Sequence, residues 1–252
     1  MKVLLSPAKS LDFESPVSVY QTSTPQFLEK AAQINTVLRK KSPKELGALM
    51  GISETLAHIN YERNQEWSID GDSSQSRAAV FAFSGEVYRG LDVYNLSESK
   101  YELMQRTFRI LSGQYGILRP LDVMMPYRLE MGTRIGIGKS KNLYDFWRAE
   151  VSKALAQELD SNEIVVNLAS NEYAKCVDFK TIKNPVITPV FKEFKNGTYK
   201  VLAVYAKHAR GQMARYIIEQ NIETIEGLEG FTEGGYHFAS DLSQSNELVF
   251  IR

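Results

Sequence analysis

The chain alternates between short apolar runs and longer segments in which apolar residues recur every three or four positions. The first run, Val3 to Leu5, predicts a buried strand that ends before Pro7. Thr24 as N-cap and Pro25 at the first helical position then predict a helix whose apolar stripe faces the core. Strand and helix patterns therefore alternate from the first residues onward.

Residues 42–66 predict two short helices joined by a tight turn. Ser42 and Glu45 have the spacing of a capping box, Gly51 ends the first helix, and Ser53 is the N-cap of the second. This outline matches a helix-hairpin-helix, whose backbone N–H groups bind a DNA phosphate without reading sequence. The flanking cations that would add phosphate contacts are Arg39, Lys40, Lys41, Lys44 and Arg63.

The middle of the chain predicts buried strands around one long helix. Apolar runs over 78–83, 106–113 and 163–170 predict strands. Between the last two runs, residues 142–159 repeat apolar positions with a helical period and predict an amphipathic helix. The small polar residues of 68–76 predict a loop at the edge of the helical pair.

Two hairpins are predicted in the last third of the chain. Asn196 and Gly197 predict the first, because a type I′ turn requires positive φ at both central residues. The strand after this turn is predicted to run to about Ala206 and to give way to a helix from about Ala209 to Gln220. Residues 234–252 predict the second hairpin.

Together these elements predict an α+β fold with a mixed, largely antiparallel sheet surrounded by helices. The whole chain, residues 1–252, is predicted to form a single domain in which 42–66 is a helical subregion, since 252 residues suit one large core. The sequence contains no internal repeat and no low-complexity tract.

Composition and charge narrow the classes of function. With 43% hydrophobic and 24% charged residues, the chain has the composition of a soluble globular protein. Its 30 Lys and Arg residues balance 30 Asp and Glu residues, so nucleic-acid binding would need a local basic patch. A histone-like coating protein, which needs a global excess of cations, is disfavoured.

Cysteine usage and hydropathy indicate the compartment. Cys176 is the only cysteine, which excludes an intramolecular disulfide and a thiolate metal cluster and is typical of a reducing compartment. The amino-terminal residues offer only three consecutive apolar positions before Ser6 and Pro7, too few for a signal sequence, and no run reaches membrane-spanning length. We expect a cytoplasmic protein that does not bind membranes.

The basic start of the helix predicted after residue 206 is the first candidate for ligand chemistry. At about 100° per residue, Arg210 falls in the same arc as Met213 and Ile217, whereas Arg215 falls on the far side as a surface charge. Arg210 must therefore be paired with an interior carboxylate or face a cleft, because an unpaired buried charge is costly. In the first helical turn, it would join the helix N-terminus and Lys207 in binding an anion.

Two further segments place polar residues after predicted strands. Asn167, Ser170 and Glu172 follow a buried strand, and ligands of α/β sheets bind outside the carboxyl ends of strands. The long loop 111–132 combines Tyr and Arg side chains that suit base stacking and phosphate pairing. Capping, turn chemistry and simple packing of the loop stay open as alternatives. The loop candidates are Tyr115, Arg119, Arg128 and Glu130.

Three other patterns are weak. Ser6 and Lys9 have the Ser-x-x-Lys spacing of some hydrolases, but Pro7 interrupts the segment, so Lys9 is better interpreted as an anion-binding residue. Gly132 and Gly138 in GTRIGIGKS are separated by five residues rather than the four of a P-loop. Scattered histidines give no metal-ligand spacing, which leaves only a carboxylate site assembled by folding. We predict no metal site and no cofactor.

Five longer motifs run in order over essentially the whole chain: LLSPAKSLDF, LSGQYGILRPLD, PYRLEMG, NLASNEYAK and YAKHARGQMARYII. In these motifs the sequence resembles the YaaA family of peroxide-stress proteins. The resemblance implies a cytosolic bacterial protein that protects DNA and proteins from hydrogen peroxide by limiting unincorporated iron. It also implies duplex DNA binding through a basic cleft and a helix-hairpin-helix, on a fold particular to the family. For this sequence, the resemblance implies a hairpin turn at Gly51 to Ser53. The cleft cations that it implies are Lys9, Arg119, Arg128, Lys207 and Arg210.

Two function hypotheses follow from the residues and the resemblance. The first is a monomeric stress protein that binds duplex DNA without strong sequence preference and lowers free iron indirectly. The second is an enzyme that acts on a nucleotide, a nucleobase or damaged DNA, with Glu130 or Glu172 as general acid or base and a small anion held in the cleft. A purely structural scaffold role is disfavoured, because the polar residues at the strand ends contribute little to apolar packing. The polar cleft candidates are Ser6, Tyr115, Asn167 and Ser170.

Overall fold

The computed structural model describes residues 1–17, 21–71 and 75–252, so the predicted loop over 68–76 lies partly outside the described residues. The helices are α1 (Leu28–Leu38), α2 (Pro43–Met50), α3 (Glu54–Glu66), α4 (Ala79–Ala82), α5 (Glu86–Leu91), α6 (Tyr101–Thr107), α7 (Leu143–Gln157), α8 (Asn171–Ala174), α9 (Ala203–Glu219) and α10 (Ile225–Glu229). The strands are β1 (Lys2–Leu5), β2 (Ser10–Leu11), β3 (Arg77–Ala78), β4 (Phe83–Ser84), β5 (Phe108–Ser112), β6 (Gly116–Leu118), β7 (Val123–Met124), β8 (Val165–Asn167), β9 (Val186–Lys195), β10 (Thr198–Lys200), β11 (His237–Phe238) and β12 (Glu247–Ile251).

The main sheet has the strand order β11-β12-β9-β8-β1-β5-β6, and β10 pairs with the far end of β9. From β12 to β5 the neighbouring strands are parallel, whereas β6, β10 and β11 each pair antiparallel with a neighbour. The α+β class and the mixed sheet are confirmed, but the sheet is largely parallel rather than largely antiparallel as predicted. Parallel pairs occupy the centre, where helical crossovers join the strands, and the expected antiparallel pairs lie at the margins.

Both predicted hairpins are confirmed. β9 and β10 are joined by Asn196 and Gly197, whose φ angles of 54° and 77° are those that a type I′ turn requires. β11 pairs antiparallel with β12 within residues 234–252. The predicted strands at the start of the chain, over 106–113 and over 163–170 appear as β1, β5 and β8.

The run over 78–83 is buried as predicted, but the prediction of one continuous strand is wrong. α4 occupies its centre, and the residues on either side pair as β3 and β4. The amide of Ala79 donates to Asp122 O and that of Val80 to Pro120 O. A short continuous apolar run suits a buried helical turn as well as a strand, and tertiary pairing decided between them.

Two predicted helix starts are also wrong. α1 begins at Leu28 rather than at Pro25, because Ser23 exchanges backbone hydrogen bonds with Leu121 and Val123 and keeps this segment extended. α9 begins at Ala203 rather than near Ala209, so the predicted strand ends at Lys200.

Helices α5 and α9 cross at two glycines. A Cβ on Gly211 would overlap the carbonyl oxygen of Val87, and one on Gly90 would overlap that of His208. Arg215 reinforces the contact by donating to the carbonyl oxygens of Leu91 and Asp92. Arg215 therefore joins the two helices, although its helical phase predicted a surface charge.

Candidate nucleic-acid interface

A cleft of about 280 Å³ opens at the carboxyl ends of the neighbouring parallel strands β1 and β8. The segment after β1, the start of α5, the start of α8 and the second and third turns of α9 form its walls. The predicted candidates that line it are Ser6, Lys9, Glu130, Ser170, Glu172, Lys207 and Arg210. The ends of β1 and β8 thus bring Ser6, Lys9, Ser170 and Glu172 together as predicted. Lys207 and Arg210 reach the cleft from helix α9 rather than from a strand end.

Hydrogen bonds between the two strand ends form the floor of the cleft. The amide of Ser170 donates to Ser6 Oγ at 2.8 Å, and the two hydroxyl groups lie 3.3 Å apart. The hydroxyl of Tyr88 donates to Ser6 O at 3.0 Å. Burial raises the pKa values of Tyr88 and of Tyr173, the other tyrosine of the cleft, so both phenols stay protonated and can donate hydrogen bonds.

The two candidate carboxylates have different partners. Glu130 Oε2 lies 2.7 Å from Lys9 Nζ, and Glu130 Oε1 lies 3.7 Å from Arg128. Glu172 Oε1 accepts a hydrogen bond of 2.9 Å from the amide of Gly132. The charge of Lys9 is thus offset within the cleft, whereas Glu172 is held by a neutral donor.

Arg210 lies half-buried in the cleft, and its Nε has no hydrogen-bond partner within the described part of the chain. Burial lowers its pKa, because an apolar surrounding disfavours the charged form. Neither Arg210 nor the exposed Lys207 has a carboxylate within 4.0 Å among the described residues. The helical phase of Arg210 was predicted correctly. The expected cooperation with the helix N-terminus is wrong, since α9 begins seven residues earlier.

The sequence interpretation missed the contribution of α5. Gly85 and Glu86 line the cleft, and Glu86 Oε2 lies 3.5 Å from Nδ1 of His208. A Cβ on Gly85 would lie 3.2 Å from the Cβ of Ala8, so a small residue lets the two walls approach. The break from the apolar run 78–83 into Ser84, Gly85 and Glu86 was the available signal.

The α2–α3 turn has the predicted geometry and lies beside the cleft. Ser42 and Glu45 form the capping box, Gly51 adopts φ 61°, and Ser53 caps α3. A second hollow runs from Gly51 to Glu130 and Glu172, which also line the cleft. Turn and cleft therefore share one wall.

Two of the predicted cations are close behind this wall. Arg63 and Arg128 are half-buried and near enough that the charge of Arg128, second to burial, lowers the pKa of Arg63. Nε of Arg128 has no hydrogen-bond partner in the described residues. Lys40 and Lys44 are exposed and Lys41 is half-exposed, at the entrance to α2.

Four residues predicted for the cleft do not line it: Arg128, whose surroundings are given above, Arg119, Tyr115 and Asn167. Arg119 is paired with Asp122 at 2.9 Å, three positions along the chain. Tyr115 is buried in the core, where its hydroxyl accepts from Trp67 Nε1 at 2.8 Å. The side chain of Asn167 accepts from the amide of Ala169 at 3.2 Å and caps the strand end. Arg39, at the end of α1, donates to the carbonyl oxygens of Asn64, Gln65 and Trp67.

The described residues contain no group of three or more His, Cys, Asp and Glu side chains placed to bind a metal ion. Over the same residues, no helix is both long and apolar enough to cross a membrane.

These features define an α+β protein with a polar cleft at the carboxyl ends of two central parallel strands, next to a helical hairpin. A model of the family described as peroxide stress protein YaaA matches residues 1–242. A UPF0246 protein of Flavobacterium johnsoniae is 50% identical over 252 residues, 100% of both chains. UPF0246 proteins of Shewanella sp. strain ANA-3 and Aliivibrio fischeri strain MJ11 are 45% and 46% identical, over 100% of this chain and 99% and 98% of theirs. The chain belongs to the YaaA family of peroxide stress proteins.

Proposed function

We propose that this protein acts in the response to hydrogen peroxide by binding duplex DNA in the cytoplasm without strong sequence preference. The α2–α3 turn would hold one phosphate through backbone N–H groups, and Arg210 and Lys207 would hold another in the cleft. Bound protein would shield the DNA, and a lower level of free iron would be an indirect effect. Stoichiometric, tight binding of Fe(II) to the purified protein would contradict this account of iron.

One observation carries the proposal: Arg210 is a half-buried cation without an acceptor for Nε in the described residues, in a cleft next to a helical hairpin. Such a charge lowers the stability of the protein, because the guanidinium loses its hydration on burial. A bound anion would offset this desolvation free energy. A phosphate suits it, because Arg and phosphate form charge-assisted, bidentate hydrogen bonds.

The test measures duplex affinity against salt for Arg210→Met and Lys207→Ala. We expect Arg210→Met to weaken binding about tenfold or more, the value of a charged hydrogen bond. Each lost phosphate contact should reduce the slope of log affinity against log salt by about 0.9. Arg210→Met should also keep or raise the thermal unfolding temperature, because methionine removes an unpaired half-buried charge.

The matched control is Lys183→Ala, which removes an exposed charge just before β9, at the opposite edge of the sheet from the cleft. Its affinity and salt slope should stay at the wild-type values. Equal losses in the control and in Lys207→Ala would indicate a general charge effect. Salt-independent duplex binding would contradict the proposal.

A second candidate function is an enzyme that acts on a nucleotide or a damaged base. It is favoured by Glu130 and Glu172, which line the same cleft as Arg210, and by a volume close to the lower end of small-ligand pockets. Incubation with oligonucleotides that carry oxidised bases, followed by mass spectrometry, tests it. Product that disappears in Glu172→Gln or Glu130→Gln, with duplex affinity retained, would support it. Unchanged oligonucleotides would eliminate an activity on these oxidised bases.

A further inference from the structure

The β9–β10 hairpin exposes an aromatic pair at the edge of the sheet where the cleft lies. β9 runs parallel with β8 and pairs with it only at Val186 and Ile187 in the described structure. It then continues for eight residues, about 26 Å at 3.3 Å per residue. The hairpin end therefore extends beyond the carboxyl ends of β8 and β1. We use the term β-arm for residues 192–200.

Phe194 and Tyr199 form an exposed pair on one face of the β-arm. They are directly opposite in the strand register, which places both side chains on the same face. Their ring centroids lie 5.2 Å apart, and 61% of Phe194 and 40% of Tyr199 is exposed. Single exposed apolar residues are ordinary, whereas a contiguous patch marks an interaction surface. Val201, Val204 and Tyr205, which follow in the sequence and reach into the first turn of α9, are exposed as well.

The unpaired charges of the β-arm are cationic. Lys192, Lys195 and Lys200 have no carboxylate within 4.0 Å in the parts of the chain that the structure describes. Glu193, the single acid of the β-arm, is held by Arg252 at 2.9 Å. Strand alternation places Lys192 on the face of the aromatic pair and Lys195 and Lys200 on the opposite face. A narrow hairpin with exposed rings and unpaired lysines suits a partner with flat apolar groups and a negative backbone.

We propose that the β-arm binds unpaired DNA strands, with bases stacked on Phe194 and Tyr199 and phosphates held by the lysines. The inference rests on the proposed DNA-binding function and adds a second contact for a different form of DNA. Base stacking tolerates any sequence, because every base presents a flat face. Lys207 lies on α9, the helix that follows the β-arm, and lines the cleft. Residues 192–207 would therefore contact an unpaired strand at one end and form part of the cleft at the other.

The test uses oligo(dT), which has little secondary structure, and a duplex of equal length, with the Phe194→Leu and Phe194→Trp variants. Leucine keeps the apolar surface and removes the ring, so it should weaken oligo(dT) binding about tenfold and leave duplex affinity unchanged. Tryptophan keeps the stacking surface, so affinity should be retained. Its fluorescence should fall when oligo(dT) binds, over a wild-type baseline from the buried Trp67 and Trp147.

Full oligo(dT) affinity in Phe194→Leu would overturn the inference, because binding would then not depend on the aromatic ring. Unchanged emission of Phe194→Trp during saturation with oligo(dT) would overturn it as well. Arg210→Met separates the two proposals, because it should weaken duplex binding and leave oligo(dT) binding within about twofold. Duplex binding without oligo(dT) binding would overturn only the β-arm, whereas oligo(dT) binding without duplex binding would overturn the proposed function of the cleft.

Discussion

At the scale of single residues, helical phase was a better guide than the predicted helix boundary. Arg210 keeps its place on the core-facing arc whether α9 begins at Ala203 or Ala209, because phase depends only on spacing. The dipole contribution depended on the boundary and was lost when α9 proved longer. Orientation could be predicted from the sequence, and electrostatic environment could not.

Two of the predicted residues that lie outside the cleft bind close neighbours in the sequence instead. Arg119 pairs with Asp122 and Asn167 caps Ala169, both within three positions in sequence. Such local partners were visible in RPLD and NLA, and they compete with a distant cleft for the same side chain. The position of Tyr115 required the packing of Trp67, 48 residues away, which no local pattern encodes.

Cys176 should be inert toward hydrogen peroxide. The side chain is fully buried, and burial raises the pKa of the thiol to about 12, whereas the thiolate is the form that peroxide oxidises. We expect no sulfenic acid adduct with dimedone after peroxide treatment of the native protein at pH 7. The same treatment in guanidinium chloride should label the residue. Labelling of the native protein would show that the interior opens to peroxide.

At the scale of elements, the sequence predicted the hairpins and the α2–α3 pair because their determinants are local. Asn196 and Gly197 fix one turn, and Ser42 with Glu45 fixes a helix start. α4 was missed because an apolar run of six residues fits two kinds of element, and only pairing of its flanks with β2 and β7 selects one.

At the α5–α9 crossing, the addition of a single methyl group should strongly lower the free energy of unfolding. Gly211→Ala would overlap the carbonyl oxygen of Val87, and we expect a loss of about 3 kcal/mol in the free energy of unfolding, despite the higher helix propensity of alanine. Urea unfolding measures it. Gly51→Ala is the control: φ is 61° but no atom lies within 4 Å of the new Cβ, so about 1 kcal/mol is expected. Equal losses would contradict a packing role for Gly211.

At the scale of the whole molecule, the sequence predicted the class of fold but not the order of strands. Parallel neighbours such as β1 and β8 lie more than 150 residues apart in sequence, and buried strands have no periodic signature that reveals their partners. The cleft depends on this order. Lys9, Glu172 and Arg210 come together only because β1 and β8 end side by side with α9 above them.

If one duplex contacts both the α2–α3 turn and the cleft, substitutions at the two sites should have additive effects on the binding free energy. We expect Lys44→Ala to weaken duplex binding by a few-fold, and the double variant with Arg210→Met to lose the sum of the two changes in binding free energy. Fluorescence anisotropy with one short duplex measures both. If the double variant binds the duplex as tightly as Arg210→Met does, Lys44 does not contact the bound duplex.

The backbone contact between α5 and α9 limits how far two walls of the cleft can move apart. Both helices line the cleft, and at Gly90 and Gly211 they are too close to slide past one another without a gap opening in the core. The contact thus sets the distance between these two walls. If an anion binds as proposed, such a preorganised site would lose little conformational entropy on binding. Selection in the cleft would consequently be by size, with bulky groups rejected at the entrance rather than accommodated by a movement of the fold.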